Sequence, residues 1–254
     1  MRMHTTSLLC LLGLVTMAPA AHAQGRGGPA TAATAKAGAP VDPTGNWVAV
    51  ISEDWRWRMV TPSKGDFPSV PLNLKGQEVA EAWDPAKDEA AGEQCRAYGA
   101  PGVMSGPTRL RISWLDENTL KLDTDYGTQT RLFRFGGAAQ APAPPRSWQG
   151  VSKAKWIATG GGRGRGASRF GYMESVTTNL RQGYLRKNGV PYSAGTVFTE
   201  RWDVHARANG ERYLVITSIV EDPVYLQSPW ITALHFRHEP DGSKWSPSAC
   251  DARF

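Results

Sequence analysis

Three glutamates sit where the sequence otherwise reads apolar, and carboxylates placed that way are the groups in this chain best suited to chemistry. In GNWVAVISEDWRWRMV (45–60) the odd positions carry Trp47, Ala49, Ile51, Trp55, Trp57 and Met59, with Glu53 among them. Glu174 shares its parity with Phe170, Tyr172 and Val176, and Glu200 lies between Phe198 and Trp202. Burying an unpaired carboxylate is expensive, so each of the three needs a partner or a purpose. In a pocket such groups have raised pKa values and serve as general acids or bases. Glu53, Glu174 and Glu200 are therefore the candidate catalytic residues, and Trp55, Trp57, Tyr172 and Trp202 are candidate ligand-binding residues on the same faces. The structural alternative stays open: a bulge that turns a side chain outward, or an ion pair with Arg134, Arg181 or Arg201.

Other chemistries lack their residues. The chain has no G-x-S-x-G, H-E-x-x-H, Walker loop or C-x-x-C. His235 and His238 are three apart, a spacing that suits a helix face but points to opposite sides of a strand. No metal site and no cofactor are expected. The segment GGGRGRGA (160–167) places arginines on a glycine backbone but precedes no helix able to hold a phosphate. In an exported protein it reads as a solvated loop. Lys and Arg exceed Asp and Glu to give a net charge of +6, yet the arginines are scattered and often alternate with apolar residues. That pattern describes an outer sheet face, so nucleic-acid recognition is rejected.

The elements that position these residues follow from periodicity. Met1–Ala23 has a basic start, an apolar run from Leu8 to Val15 and Ala21-His22-Ala23, the order of a secretory signal peptide cleaved after Ala23. The mature protein is then periplasmic or secreted and not membrane-spanning. Residues 24–43 are small and rich in Pro and Gly, which predicts a disordered leader. Residues 44–254 form one domain, with GGAAQAPAPPR (136–146) as a loop within it. Strands are expected at 109–114, 119–125, 128–135, 153–159, 169–178, 196–204, 213–222 and 230–236, after a long first strand from about 45 onward. A helix is expected over 72–84, with Leu72, Val79, Ala82 and Trp83 on one face, and a weaker helical turn over 85–95. Long amphipathic strands leave edges that closure removes, so the fold class is all-β, a single antiparallel β-barrel with one or two short helices. Beyond the signal segment the cysteines are Cys95 and Cys250, and two in an oxidising compartment predict one disulfide.

Gly45-Asn46-Trp47 resembles the G-x-W signature that opens lipocalins and related calycin barrels, and a cysteine near the C-terminus bridging to an earlier loop is similar to their arrangement. SEDW (52–55), GEQC (92–95), GYLRKNGVPYS (183–193) and VEDPVYLQSPW (220–230) resemble a family of exported bacterial proteins that brings no established activity or site with it. Ten tryptophans in 254 residues favour binding of flat, apolar molecules. The expected function is an exported barrel holding a small hydrophobic or aromatic ligand in an aromatic-lined pocket. The alternative is a cofactor-independent isomerase, lyase or cyclase working through the pocket carboxylates. A structural envelope protein with a basic outer face is a third reading.

Overall fold

Period-two alternation becomes a closed barrel of nine strands. The computed structural model describes residues 34–53, 55–136, 144–159 and 170–253, with Glu53 described by its backbone alone. The signal segment, the leader up to residue 33, the arginine-glycine segment 160–167 and most of 136–146 lie outside the described residues. The barrel strands are β1 (Gly45–Ala49), β2 (Arg109–Asp116), β3 (Thr119–Thr124), β4 (Thr130–Phe135), β5 (Val151–Ala158), β6 (Gly171–Thr178), β9 (Val197–Ala206), β10 (Arg212–Glu221) and β11 (Trp230–Glu239). Around the barrel they run β1-β11-β10-β9-β6-β5-β4-β3-β2. A separate hairpin pairs β7 (Gly183–Tyr184) with β8 (Pro191–Tyr192). One barrel pair departs from the antiparallel expectation: β4 and β5 are parallel, with Phe133 opposite Ser152. The chain crosses over between them instead of turning back.

The long first strand is also shorter than its alternation suggested. β1 pairs with β2 as far as Val48–Arg109 and with β11 as far as Ala49–Phe236, and its last bonds run from the Ala49 N–H to Thr108 O and from the Val50 N–H to His235 O. The chain then forms a 3-10 turn (Ile51–Glu53) and one turn of helix, α1 (Trp55–Arg58). Ile51, Trp55 and Met59 are four apart as well as on odd positions, so the pattern fits both periods, and beyond Val50 the chain takes the helical one.

The expected helix is α2 (Leu74–Glu81), capped by the Asn73 side chain, which accepts from the Gly76 N–H. Its buried side is Gly76 and Ala80, whereas Ala82 is exposed. A Cβ at Gly76 would lie 2.6 Å from the Tyr225 carbonyl oxygen, so close approach of backbone, rather than bulk, selects the inward residues. The weaker turn is α3 (Pro85–Ala90), and a short helix α4 (Ala100–Val103) follows. At the end of the segment expected to be disordered, residues 34–37 lie on the barrel. The Lys36 N–H donates to Glu117 O, and the Trp156 indole donates to Ala35 O at 2.7 Å.

Inside, two apolar clusters stack along the axis. One gathers Trp47, Leu110, Leu122, Phe133, Trp202, Ile216 and Phe236; the other joins Phe198 and Val220 to Leu72, Ala80, Leu185, Tyr192 and Trp230 beneath the helices and the hairpin. Between them, Glu200 separates Phe198 from Trp202 on β9, and Ser218 separates Val220 from Ile216 on β10. A polar belt thus crosses the interior.

Asp222, just past β10, organises the loops at the capped end. It is buried and accepts from the Thr196 hydroxyl and from the N–H groups of Ser193, Val224 and Tyr225. Burial alone raises a carboxyl pKa, but these donors outweigh it and hold Asp222 below the ordinary value. A depressed folded pKa gives stability that is present above the unfolded pKa of about 3.9 and is lost as pH falls through the folded value. Asp222→Asn should therefore cost about 1–3 kcal/mol at pH 7. The difference from wild type should shrink when urea unfolding is repeated at pH 3. A cost that is the same at both pH values counts against the charged cap.

Candidate functional site

Of the three glutamates, Glu200 alone is shown inside the barrel. It is fully buried, and Arg131 of β4, also fully buried, donates to both its oxygens, from Nη1 at 2.9 Å. The Ser175 hydroxyl adds a bond at 3.2 Å, and Arg131 Nη2 reaches Thr177 Oγ1, which pairs with Ser152 Oγ at 2.7 Å. Phe133 and Phe198 lie against the guanidinium, with centroids 4.8 and 5.6 Å from its central carbon. The expected partners Arg134, Arg181 and Arg201 are not the ones used here. Sealed and paired, Glu200 has no substrate-facing surface.

Glu174 is on the outside. The inward residues of β6 are Met173, Ser175 and Thr177, so the face carrying Tyr172, Glu174 and Val176 points away from the interior. Glu174 pairs with Lys155 at 2.9 Å and Arg201 at 3.4 Å, and its hydrogen bond with Lys155 leads in holding its carboxyl below the usual range. For Glu53 the side chain lies outside the described residues. Among the proposed binding residues, Trp202 is interior with its centroid 5.1 Å from Phe133, Tyr172 is on the outer face, and Trp55 is exposed. The four do not converge. Side chains of the first apolar cluster occupy the barrel interior where the aromatic pocket was expected.

A cleft does form at the capped end, and of the four it uses Trp57. The Asn188-Gly189 turn lets the chain double back between β7 and β8, and the Leu185 N–H donates to Val190 O. This hairpin presents Arg186 and Lys187. Asn188 Nδ2 donates to Ser63 O and Asp66 O, each at 2.9 Å, which ties the hairpin to the chain after α1. From α1, Arg58 reaches Ser105 O at 3.0 Å and Val50 O at 2.8 Å. The resulting slot, about 30 Å³, is lined by Trp57, Arg58, Thr61, Tyr126, Arg186 and Lys187, among others. It adjoins a groove of about 150 Å³ that shares Trp57, Arg58, Ser105 and Arg186 and adds Ser69, Trp230 and Leu234. The Arg186 guanidinium stands 5.0 Å from the Trp57 ring and 5.6 Å from the Trp230 ring. Trp57 Nε1 and Thr61 Oγ1 are buried with no hydrogen-bond partner among the described residues.

Tyr126, which lines the slot, packs on Tyr98 with centroids 4.7 Å apart. Gly127 permits this: its φ is +72°, and a Cβ there would overlap the Tyr98 ring. Lys187 Nζ lies 5.3 and 5.7 Å from the two ring centroids and donates to the Tyr98 hydroxyl at 3.2 Å, which also receives the Asp251 N–H at 3.2 Å. Burial pulls the Lys187 amine down to about 8, against an opposing pull from Asp251. Burial raises both phenols.

The Asn188-Gly189 pair is a signal in the sequence that could have marked this hairpin, though no turn was expected there. That its neighbours meet Trp57, Tyr126 and Trp230 has no such signal, because these residues are distant along the chain. Among the described residues no group of three His, Cys, Asp or Glu is placed to hold a metal, and no helix is long and apolar enough to cross a membrane. Fold and cleft together define a nine-stranded barrel with one capped end and an aromatic, cationic cleft at that end. No protein-family description, curated protein or solved structure matches the chain.

Proposed function

We propose that this is an exported binding protein that holds a small aromatic molecule in the cleft at the capped end. The observation that carries the reading is the groove in which Trp57 and Trp230 flank Arg186, beside two buried polar atoms that lack partners among the described residues. Polar groups buried without partners are rare and call for an acceptor or donor, which a ligand can supply. The groove, about 150 Å³, has room for a molecule of single-ring size. Export is supported by Met1–Ala23 and by the Cys95–Cys250 disulfide, a bond of oxidising compartments. A lipocalin-like likeness is supported by Trp47, buried at the start of β1 with its indole donating to Pro43 O. The isomerase, lyase or cyclase reading has less behind it, since Glu200 is sealed in an ion pair and Glu174 faces outward.

Tryptophan fluorescence titrated with phenol, benzoate and benzylamine tests the site. Saturable quenching is expected for at least one of the three. Trp57→Ala and Trp230→Leu should each weaken it about tenfold, equivalent to about 1.4 kcal/mol. Trp245→Phe should leave it unchanged, because Trp245 stacks on Arg111 on another face. Linear, unsaturable quenching by all three compounds would remove the cleft as a site.

A further inference from the structure

Lys187 is placed to do more than attract charge. Its amine rests on two phenol rings and donates to the Tyr98 oxygen, at a slot that shares Trp57, Arg58, Ser105 and Arg186 with the neighbouring groove. We propose that Lys187 captures a small aromatic aldehyde reversibly as an imine, an inference that rests on the cleft being a binding site for a single ring. The ring lies along Trp57 and its carbonyl carbon reaches the amine.

The step balances without any oxidant or reductant. The neutral amine nitrogen bonds to the carbonyl carbon, the C=O π pair moves to oxygen, and oxygen gains a proton as nitrogen loses one. The carbinolamine then releases its hydroxyl with the second nitrogen proton as water, leaving C=N. Water re-adds to free the ligand.

The surroundings favour the neutral amine. Burial against Tyr98 and Tyr126 lowers the pKa of the amine, and Asp251 opposes this from the C-terminal tail. With its pKa at about 8 against 10.5 for an ordinary lysine, Lys187 holds roughly 300-fold more neutral amine at pH 7.

The oxidised full-length protein, incubated with 4-hydroxybenzaldehyde and cyanoborohydride at pH 7, tests this by peptide mapping of the trapped adduct. In parallel, 4-hydroxybenzyl alcohol, which cannot form an imine, is titrated by tryptophan quenching. Lys187 should be modified at least about tenfold faster than the exposed Lys155, and the alcohol should suppress that modification. Even modification of all lysines while the alcohol still quenches overturns the imine and leaves the binding site standing. Selective modification of Lys187 without quenching by the alcohol keeps the reactive amine and removes the ring-binding cleft. Neither signal overturns both.

Discussion

Glu200→Gln should lower the midpoint of thermal unfolding by roughly 10 °C while leaving the far-ultraviolet spectrum of the folded protein unchanged. The substitution keeps the size of the side chain and removes its charge, so the Arg131 guanidinium is left buried and uncompensated between Phe133 and Phe198. Breaking a buried pair from one side costs about 3–5 kcal/mol, and for a domain of this size each kcal/mol moves the midpoint by about 2–4 °C. The companion Arg131→Met/Glu200→Leu removes both charges and should recover most of the loss, since well-packed apolar replacements of buried pairs are often neutral. Ser152 and Thr177 would still bond to each other, whereas Ser175 would lose its bond to Glu200. A Glu200→Gln midpoint equal to that of the wild type would mean that the pair contributes no net electrostatic stabilisation. A double variant worse than either single one would point to shape rather than charge.

The same belt explains what the sequence revealed about the interior and what it hid. Strand positions were legible because alternation survives wherever one face is wet, and β2, β3, β9, β10 and β11 follow it. The face of β6 was read backwards for a physical reason. Its inward residues opposite the ion pair are Ser175 and Thr177, small hydroxyls that bond Glu200 and Arg131, so the interior side looked polar and the outer side, with Tyr172 and Val176, looked apolar. A usable signal was present in TQTRLFRF: Arg131 shares its parity with Phe133 and Phe135, just as Glu200 does with Phe198 and Trp202. Two opposite charges, each misplaced on an apolar face, imply each other. Arg134 has the outward parity and could not serve. The cleft had no comparable signal. Its walls come from α1, the loop after α4, the β3–β4 turn, the β7–β8 hairpin and β11, and only the closed barrel brings those segments together.

Reducing the disulfide should destabilise the protein about as much as losing the ion pair, and should also reach the cleft. Cys95 and Cys250 are bonded with Cα atoms 5.1 Å apart and a sequence separation of 155. Closing so long a loop in the unfolded chain accounts for up to about 5 kcal/mol. β11 does not depend on this bond, being held on both sides by β1 and β10. What the bond fixes is the C-terminal tail against the capped end. Along that tail the Ser248 N–H donates to Asp125 O, Thr128 Oγ1 donates to Ser248 O, and Arg253 grips Glu89 with two nitrogens. Through the same tail the Asp251 N–H reaches the Tyr98 hydroxyl that holds Lys187. Cys250→Ala should therefore lower the unfolding midpoint by roughly 10 °C, within the 2–5 kcal/mol usual for a lost native disulfide. Dithiothreitol should do the same to the wild type and nothing further to the variant. The intact tail bonds predict that the variant stays folded at 25 °C. Its aldehyde trapping at Lys187 should change several-fold, because the tail carries both the Asp251 N–H that holds Tyr98 and the carboxylate that opposes the neutral amine. Equal midpoints for oxidised and reduced protein would show that the tail's hydrogen bonds alone suffice. A lower midpoint with unchanged trapping would confine the bond to stability and separate it from the cleft.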